Sequence, residues 1–411
     1  MGVALAGTGA SYLLLTVGVI LVASFLEVSW RWLEDLDLCF IPTEDLTEAK
    51  EQPKPLKNRK GKKKGPDVSS FVAGATQIAM MPFPKHRLLH IRYFQLFDQL
   101  VMCIAFVTAN AVVWEVASGA FGVPHENGTI TMLTLLLLAA ALRAVITPEL
   151  DPNTTPAGER MLCYMTAGLG GFICLLFVTF TPVSVVDFGV EPAAATFGPN
   201  LMAWLTANSK GRFEVPGDPH YFDIHPLQIK LLMTLIATLL SGVALAPAVR
   251  VLRSYNLSTS PPAWGEDHLQ TGVWARALMH ANVFAPLLVL FMWSPALSPR
   301  EALGVSEGAW ESAARPAMLC VAGGLQVLLV RPYIQAFLNT ALVQWYELKH
   351  NSTDGIDGAR VGVIIQKKVL LVRELSLKVA TQVLAPACIL VACGVLLRAK
   401  SPAAVAAVAG A

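Results

Sequence analysis

Long apolar runs, separated by polar segments, dominate the chain. A run of about 20 apolar residues, wound as an α-helix, crosses the roughly 30 Å hydrocarbon core of a bilayer. The pattern therefore predicts an all-α, polytopic membrane protein with eight transmembrane helices, several of them kinked by proline. The predicted spans are residues 12–30, 97–117, 130–146, 161–180, 227–249, 274–293, 317–334 and 379–397. The predicted domains are an N-terminal anchor (1–30), a lysine-rich loop (31–96), a seven-span bundle (97–398) and a short tail (399–411).

Basic residues predict how this bundle is oriented, because loops rich in Lys and Arg stay in the cytosol. Most basic residues between spans fall in residues 29–96, 147–160, 250–276 and 331–378. Both ends of the chain are therefore predicted to lie outside. On this topology the Asn127 sequon faces outward and is a candidate glycosylation site, whereas the sequons at Asn153, Asn256 and Asn351 face the cytosol.

The first span is predicted to be a signal anchor rather than a cleaved signal peptide, because no basic residue precedes it. The loop that follows carries a lysine cluster at residues 54–64 among prolines and glycines, with too few apolar residues to fold alone. This cluster is expected to attract anionic lipids of the inner leaflet. A solvated tether that enforces the topology is an equally good interpretation, and the two are compatible.

Two cytosolic segments, residues 332–350 and 361–378, carry apolar residues at helical spacing. The first is expected either to continue the seventh span or to bend along the membrane surface, and the second to lead into the last span. Outside, residues 197–205 form a short apolar patch in the longest outer loop, which makes that loop a candidate contact surface.

Composition and motifs exclude several classes of function. The chain is 54% hydrophobic and 15% charged with a net charge of +2, so nothing indicates nucleic-acid binding. The seven cysteines form no CxxC pair and lie mostly in apolar runs, which argues against a disulfide framework or a zinc site. No nucleotide-binding, metalloprotease, hydrolase or kinase motif occurs, and no span carries voltage-sensor arginines or a potassium filter. We therefore expect no enzymatic activity and no cofactor.

The ionisable residues near spans are few, and depth suggests how they pair. Asp98 and Arg143 are predicted to lie at the inner side, and Glu115 at the outer side with Lys230 or Arg315 as its partner. Snorkelling or a local salt bridge is a sufficient explanation for such residues. Glu115 stands out because the short stem of a glutamate snorkels poorly. The other candidate functional or packing residues are Arg143, His280, Asn282, Pro286, Arg331 and Gln335.

The sixth span combines several of these candidates in RALMHANVFAPLLVLFMW. Pro286 frees the carbonyl of Asn282 and is expected to bend the helix, and Ala-Pro pairs recur at Pro247 and Pro386. Small-residue surfaces at 167–172 and 322–325 are expected to let helices approach closely. His280 and Asn282 can be explained as residues that form hydrogen bonds to neighbouring helices. The alternative is that they line a transport path.

Five stretches in this order resemble the eukaryotic transmembrane protein 161 family: GERMLCYMTAG (158–168), VDFGVEP (186–192), LMHANVFAPLLVLFMWSP (278–295), RPYIQAFLN (331–339) and QVLAPA (382–387). The resemblance implies a multispan protein without established enzymatic activity or cofactor, linked to ion currents, membrane excitability and stress responses. Animal members of that family continue through a further hydrophobic segment beyond the eighth span, so a role carried by that segment is not implied for this sequence.

Three functions follow as expectations. The first is a non-enzymatic modulator of ion transport or membrane signalling that contacts a channel or another membrane protein within the lipid bilayer. The second is a transporter or channel with a path lined by spans 2, 5, 6 and 7. The third is a structural subunit of a membrane assembly.

Overall fold

The computed structural model describes most of the chain from residue 91 onward and only short stretches before it. The first predicted span, the lysine cluster 54–64, Asn127 and the tail 400–411 lie outside the described residues, apart from 17–18 and 27–30 of that span. The described residues are 17–18, 27–34, 36–40, 79–82, 91–121, 128–153, 155, 157–182, 185–186, 188–209, 222–265, 269, 271–294, 299–300, 304–306, 309–351 and 358–399.

Helices make up almost all of the described structure. They are α1 (Val28–Leu33), α2 (Phe94–Phe121), α3 (Gly128–Leu150), α4 (Ala157–Phe180), α5 (Val190–Ser209), α6 (Pro226–Thr259), α7 (Val273–Trp293), α8 (Arg315–Asn351) and α9 (Gly358–Ala399). A single π-helical turn, Trp310–Ala314, leads directly into α8. In the described part of the chain, seven helices are long and apolar enough to cross a membrane. The expected all-α polytopic fold is confirmed.

One small sheet joins these helices. Strand β1 (Asp37–Phe40) pairs antiparallel with β2 (Ala79–Pro82), so the two ends of the lysine-rich loop are brought together. Strand β1 also packs against α8 and α9. The sequence pattern did not predict these strands, because each is only four residues long and the apolar runs around it are short.

Helix α9 forms the centre of the bundle. Its membrane-spanning part is 72% buried, whereas those of α6 and α7 are 11% buried. Helices α2, α3, α6 and α8 all pack on it. The reason is visible in its sequence: Ala380, Ala385, Ala387 and Ala392 are fully buried, and such small side chains let neighbouring helices approach from several sides.

Both amphipathic segments, which the sequence predicts to be cytosolic, are continuations of membrane helices. Residues 332–350 extend the seventh span in α8, which is the first of the two alternatives expected for them, and residues 361–378 open α9 and lead into the last span. With 37 and 42 residues, these helices are about 55 and 63 Å long, well beyond the roughly 30 Å of hydrocarbon. They pack against each other as an antiparallel hairpin, here called the α8–α9 hairpin.

Glycines set the closest helix approaches. A Cβ at Gly323 in α8 would lie 2.9 Å from the carbonyl oxygen of Ala387 in α9, too close for any real side chain. Gly171 in α4 meets the Thr238 side chain of α6 in the same way. The small-residue surfaces predicted at 167–172 and 322–325 therefore do allow close packing.

Candidate functional site: a buried charge network

The most deeply buried charge in the described structure belongs to Glu149, in the last turn of α3. Its side chain has no exposed surface. The helix runs through Pro148 and ends at Leu150. An unpaired carboxylate is very costly in such surroundings, so the groups around Glu149 explain why this residue is tolerated.

Two cationic groups and an amide converge on the Oε1 atom of Glu149. Arg250 of α6 donates from Nη1 at 2.6 Å, and Gln382 of α9 donates from its side-chain amide. The Nζ atom of Lys378, also on α9 and only 2% exposed, lies 3.6 Å away. Arg250 Nη1 also donates to Gln382 Oε1 at 2.8 Å, so the contacts close into one network.

A second set of contacts ties this network to the α3–α4 connection. Lys378 donates to the hydroxyl of Thr155 at 2.9 Å, and that hydroxyl donates to the Pro148 carbonyl at 3.2 Å. Glu159, in the first turn of α4, accepts from Arg250 Nη2 at 3.4 Å and is half-exposed. The charge network of Glu149, Glu159, Arg250, Lys378 and Gln382 thus links α3, α4, α6 and α9.

The network is balanced in charge, with two carboxylates against one guanidinium and one ammonium. Mutual neutralisation of this kind is what permits ionised groups to be buried in a membrane protein. One atom is left over: Glu149 Oε2 is buried and has no hydrogen-bond partner among the described residues. No group of His, Cys, Asp and Glu in the part of the chain searched has the arrangement of a metal site.

A more exposed polar cluster lies beside the network, just past the end of α3. Asp151 Oδ2 accepts from the Tyr93 hydroxyl at 2.7 Å and lies 2.8 Å from Arg92 Nη2. The backbone N–H of Asn153 donates to the other oxygen at 3.0 Å. The Tyr93 hydrogen bond, followed by the Asn153 contacts and the Arg92 charge, holds the pKa of Asp151 below its usual value.

Glu115, the carboxylate that the sequence predicts to lie outside, pairs with a residue that was not among its predicted partners. Arg398 near the end of α9 donates to it from Nη2 at 2.5 Å, and also donates from Nη1 to the Ser312 carbonyl of the π-helical turn at 3.0 Å. Arg315, one of the predicted partners, lies 3.6 Å from Glu311. Arg398 lies just beyond the predicted eighth span (379–397), so span depth alone does not pair it with Glu115.

His280 and Asn282 of α7 each contact a tyrosine. His280 Nδ1 lies 2.7 Å from the Tyr255 hydroxyl of α6, with the two rings edge to face. Asn282 donates from Nδ2 to the Tyr333 hydroxyl of α8 at 3.4 Å. These contacts join α7 to two neighbours, as interhelical hydrogen bonds would.

The remaining candidates are dispersed. Arg143 and Arg331 are exposed, and Asp98, the predicted partner of Arg143, accepts from the Ser29 hydroxyl of α1 at 2.5 Å. Gln335 donates to Asn339 one turn later in α8 at 2.9 Å. Pro286 lies inside α7, which is continuous on both sides of it. The structure therefore does not gather the sequence-predicted residues into one site.

Glu149 and Lys378 are not among the sequence-predicted candidates because the predicted spans are shorter than the helices. The third predicted span ends at residue 146 and the eighth begins at 379, which places Glu149 and Lys378 in loops, where charges need no explanation. The helices run through both positions. Extending each span by one turn would have placed an acid and a base at the same membrane face.

Residues 41–402 match the family model described as "predicted transmembrane protein 161AB". A search of curated proteins and a search of solved structures each found no match. The matched range includes the seven membrane-spanning helices and every member of the charge network. It also contains the five stretches on which the resemblance was first based.

Proposed function

The chain belongs to the transmembrane protein 161 family, and from this premise we propose that it is a non-enzymatic membrane protein that modulates ion transport through a partner. Ion currents, membrane excitability and stress signalling are the processes that the family resemblance suggests. The partner would be a channel or another membrane protein, contacted on the cytosolic side by the α8–α9 hairpin.

The observation that carries this proposal is the continuity of α9. One unbroken helix includes Lys367 and Lys368, exposed on the hairpin, and then Lys378 and Gln382, buried in the charge network. A packed helix moves as a rigid body, so a force on its cytosolic end would be felt in the membrane core. A modulator needs such a connection between its contact surface and its spans.

The contacts within the charge network favour a protein that acts by contacting a partner over one that conducts ions itself. The buried charges are engaged with one another and with the Thr155 hydroxyl, and α9 fills the middle of the bundle with small apolar side chains. A permeating ion would have to compete with a short Arg250–Glu149 contact of 2.6 Å. We therefore expect the protein alone to carry no ions.

Two measurements on the full chain test the proposal. Purified protein in liposomes should give no flux of Na⁺, K⁺, Ca²⁺ or H⁺ under imposed gradients. In patch-clamped cells, expression should alter endogenous currents, and Lys367→Glu/Lys368→Glu should abolish the effect because it reverses the exposed charge of the hairpin. Lys230→Glu, at the predicted outer end of α6, is the matched control and should keep the effect.

The other outcomes separate the remaining functions. Flux from protein alone would overturn the modulator and favour a transporter. Unaltered currents together with a stoichiometric co-purifying partner would favour a structural subunit. One observation favours the transporter. Glu149 Oε2 is buried and has no hydrogen-bond partner among the described residues, and intramembrane carboxylates often bind the transported ion. Glu149→Gln should then abolish the flux.

We also propose that the lysine cluster 54–64, outside the described residues, attracts anionic lipid. Each basic residue near an anionic surface contributes about 1 kcal/mol, and the attraction weakens with salt. A peptide of residues 48–70 should bind phosphatidylserine vesicles at low salt, and binding should fall with Lys62→Gln/Lys63→Gln/Lys64→Gln. Equal binding to neutral vesicles would contradict this role.

A further inference from the structure

Helix α6 carries a stripe of polar residues on its buried side. Arg250, Ser254 and Ser258 follow one another at intervals of four residues, so their side chains lie on one face of the helix. Ser254 and Ser258 are each only 1% exposed, and Arg250 contacts Glu149 at 2.6 Å. The stripe therefore runs inside the protein, from the charge network to the end of α6 at Thr259.

The two serine hydroxyls have no hydrogen-bond partner in the described part of the chain. A hydroxyl in a helix commonly donates to a carbonyl one turn earlier, as Thr259 does to Tyr255 at 2.9 Å. Because Ser254 and Ser258 do not make this bond, their hydroxyls can bind a group outside their own helix. A buried polar atom without a protein partner is commonly satisfied by an ordered water molecule.

Two further buried atoms without a described partner belong to the network end of the stripe. One is Glu149 Oε2, an acceptor, and the other is the Nε atom of Arg160 in α4, a donor. Arg160 and Cys163 lie on the same face of α4 because they are three residues apart, and all four charges of the network act on the Cys163 thiol. That face of α4 therefore points toward the network.

Water is the ligand that fits this set of atoms. The set contains an acceptor, a donor and two hydroxyls that can act as either, and a water molecule both donates and accepts hydrogen bonds. A metal cation cannot accept the N–H of Arg160, and an anion cannot donate to the carboxylate of Glu149. Successive residues of the stripe are about 6 Å apart along the helix axis, a distance that one water molecule bridges with two hydrogen bonds of about 2.8 Å each.

We propose that this stripe binds a chain of water molecules that enters at the end of α6 and reaches Glu149 Oε2. At the entrance, the half-buried Thr271 donates to the Ser258 carbonyl at 3.0 Å, and Ser260 is exposed. The water chain ends at the network, because the membrane-spanning part of α9 beyond it is 72% buried and packed with small apolar side chains.

Such a chain hydrates a buried carboxylate from one side of the bundle and is not a path across the membrane. It is therefore compatible with a protein that carries no ions. The inference goes beyond the proposed function and does not depend on it, since hydration of Glu149 requires no partner.

Substituted cysteines in the full chain test the water chain. Ser254→Cys and Ser258→Cys nearly preserve the side-chain volume, and the native cysteines are first replaced by alanine. Ag⁺, which is similar in size to a water molecule, is added to sealed vesicles and reacts with thiols that water reaches. The protein is then unfolded and labelled with a polyethylene glycol maleimide, so a cysteine blocked by Ag⁺ loses its gel shift.

Both serine positions should be blocked from the side on which Ser260→Cys, exposed at the end of α6, reacts with an impermeant maleimide. Val145→Cys is the matched control and should keep its gel shift, because Val145 is 5% exposed, apolar and one turn before Glu149 on α3. Blocking at neither serine, at Ser258 alone, at position 145 as well, or from the opposite side would overturn the proposal.

A second measurement leaves the sequence unchanged. Hydroxyl radicals produced from bound water by an X-ray pulse oxidise the side chains beside that water, including buried ones, and mass spectrometry of peptides locates the products. Cys163, 4% exposed beside the network, should be oxidised, whereas the fully buried Cys388 of α9 is the matched control and should not be. Oxidation of both cysteines to the same extent, or of neither, would overturn the proposal.

Discussion

Lys378 Nζ lies 3.6 Å from Glu149 Oε1, and both side chains are almost fully buried. The two residues belong to α9 and α3, which are the last and the second of the seven described membrane-spanning helices. An acid and a base this far apart in sequence can meet only when α3 and α9 have packed against each other. Their contact is therefore a property of the tertiary structure rather than of any single helix.

Removal of the Glu149 charge should destabilise the protein strongly. Glu149→Gln would leave Arg250 and Lys378 buried without their main counter-charge, a loss of about 3–5 kcal/mol for a broken buried pair. Thermal unfolding in detergent should show a clear fall in Tm. Glu159→Gln is the matched control, because its half-exposed side chain should cost no more than about 1 kcal/mol. Equal effects from the two variants would contradict the assignment of Glu149 as the centre.

Acid should weaken the cluster around Asp151. Because the pKa of Asp151 in the folded state is held below its ordinary value, Asp151 contributes stability that is fully present at pH values above that ordinary value. This contribution is lost as pH falls through the lowered pKa. In an unfolding series from pH about 6 to about 3, Asp151→Asn should be less stable than wild type at the upper end, and the difference should shrink toward the lower end.

Tyr93→Phe provides the control for that series, since the Tyr93 hydroxyl is the largest cause of the lowered pKa. It should reduce the pH dependence while Arg92 and Asn153 retain part of it. A pH profile that is the same in wild type and Asp151→Asn would show that other groups govern acid stability.

Two glycines should respond in opposite directions to the same substitution. Gly323→Ala would push a methyl group against the Ala387 carbonyl and the Val391 side chain, and overpacking of this kind costs about 1–3 kcal/mol. Gly168→Ala meets nothing within 4 Å and should be neutral or stabilise α4 by up to about 1 kcal/mol. Unfolding midpoints of the two variants measure the contrast. A destabilised Gly168→Ala would show that another surface packs there.

Hydropathy predicted the number and order of the described spans well, because lipid imposes one strong rule: about 20 apolar residues for each crossing. The continuation of α8 and α9 beyond the membrane was also visible, since Ile334, Phe337 and Leu338 keep helical spacing past the seventh span. Hydropathy does not predict which helix lies in the centre of the bundle. The burial of α9 depends on small residues such as Ala380 and Ala392 meeting four neighbours at once.

Partners of charged residues were the least predictable feature. Depth arguments from the sequence could not select Arg398 as a partner of Glu115 from the cations near the span ends. Glu149 and Lys378 were overlooked because a few residues at a span boundary decide whether a charge is counted as buried. His280 and Asn282 stand out within an apolar run, and each contacts a tyrosine on a neighbouring helix.

The most direct test of the account is a double-mutant cycle on Glu149 and Lys378. The two charges compensate each other within a locked network, so Glu149→Gln/Lys378→Met should be more stable than the sum of the single losses predicts. The coupling should be about 1–3 kcal/mol, measured from unfolding of all four proteins in the same detergent. Strictly additive losses would contradict it, because they would mean that Glu149 and Lys378 are buried for separate reasons.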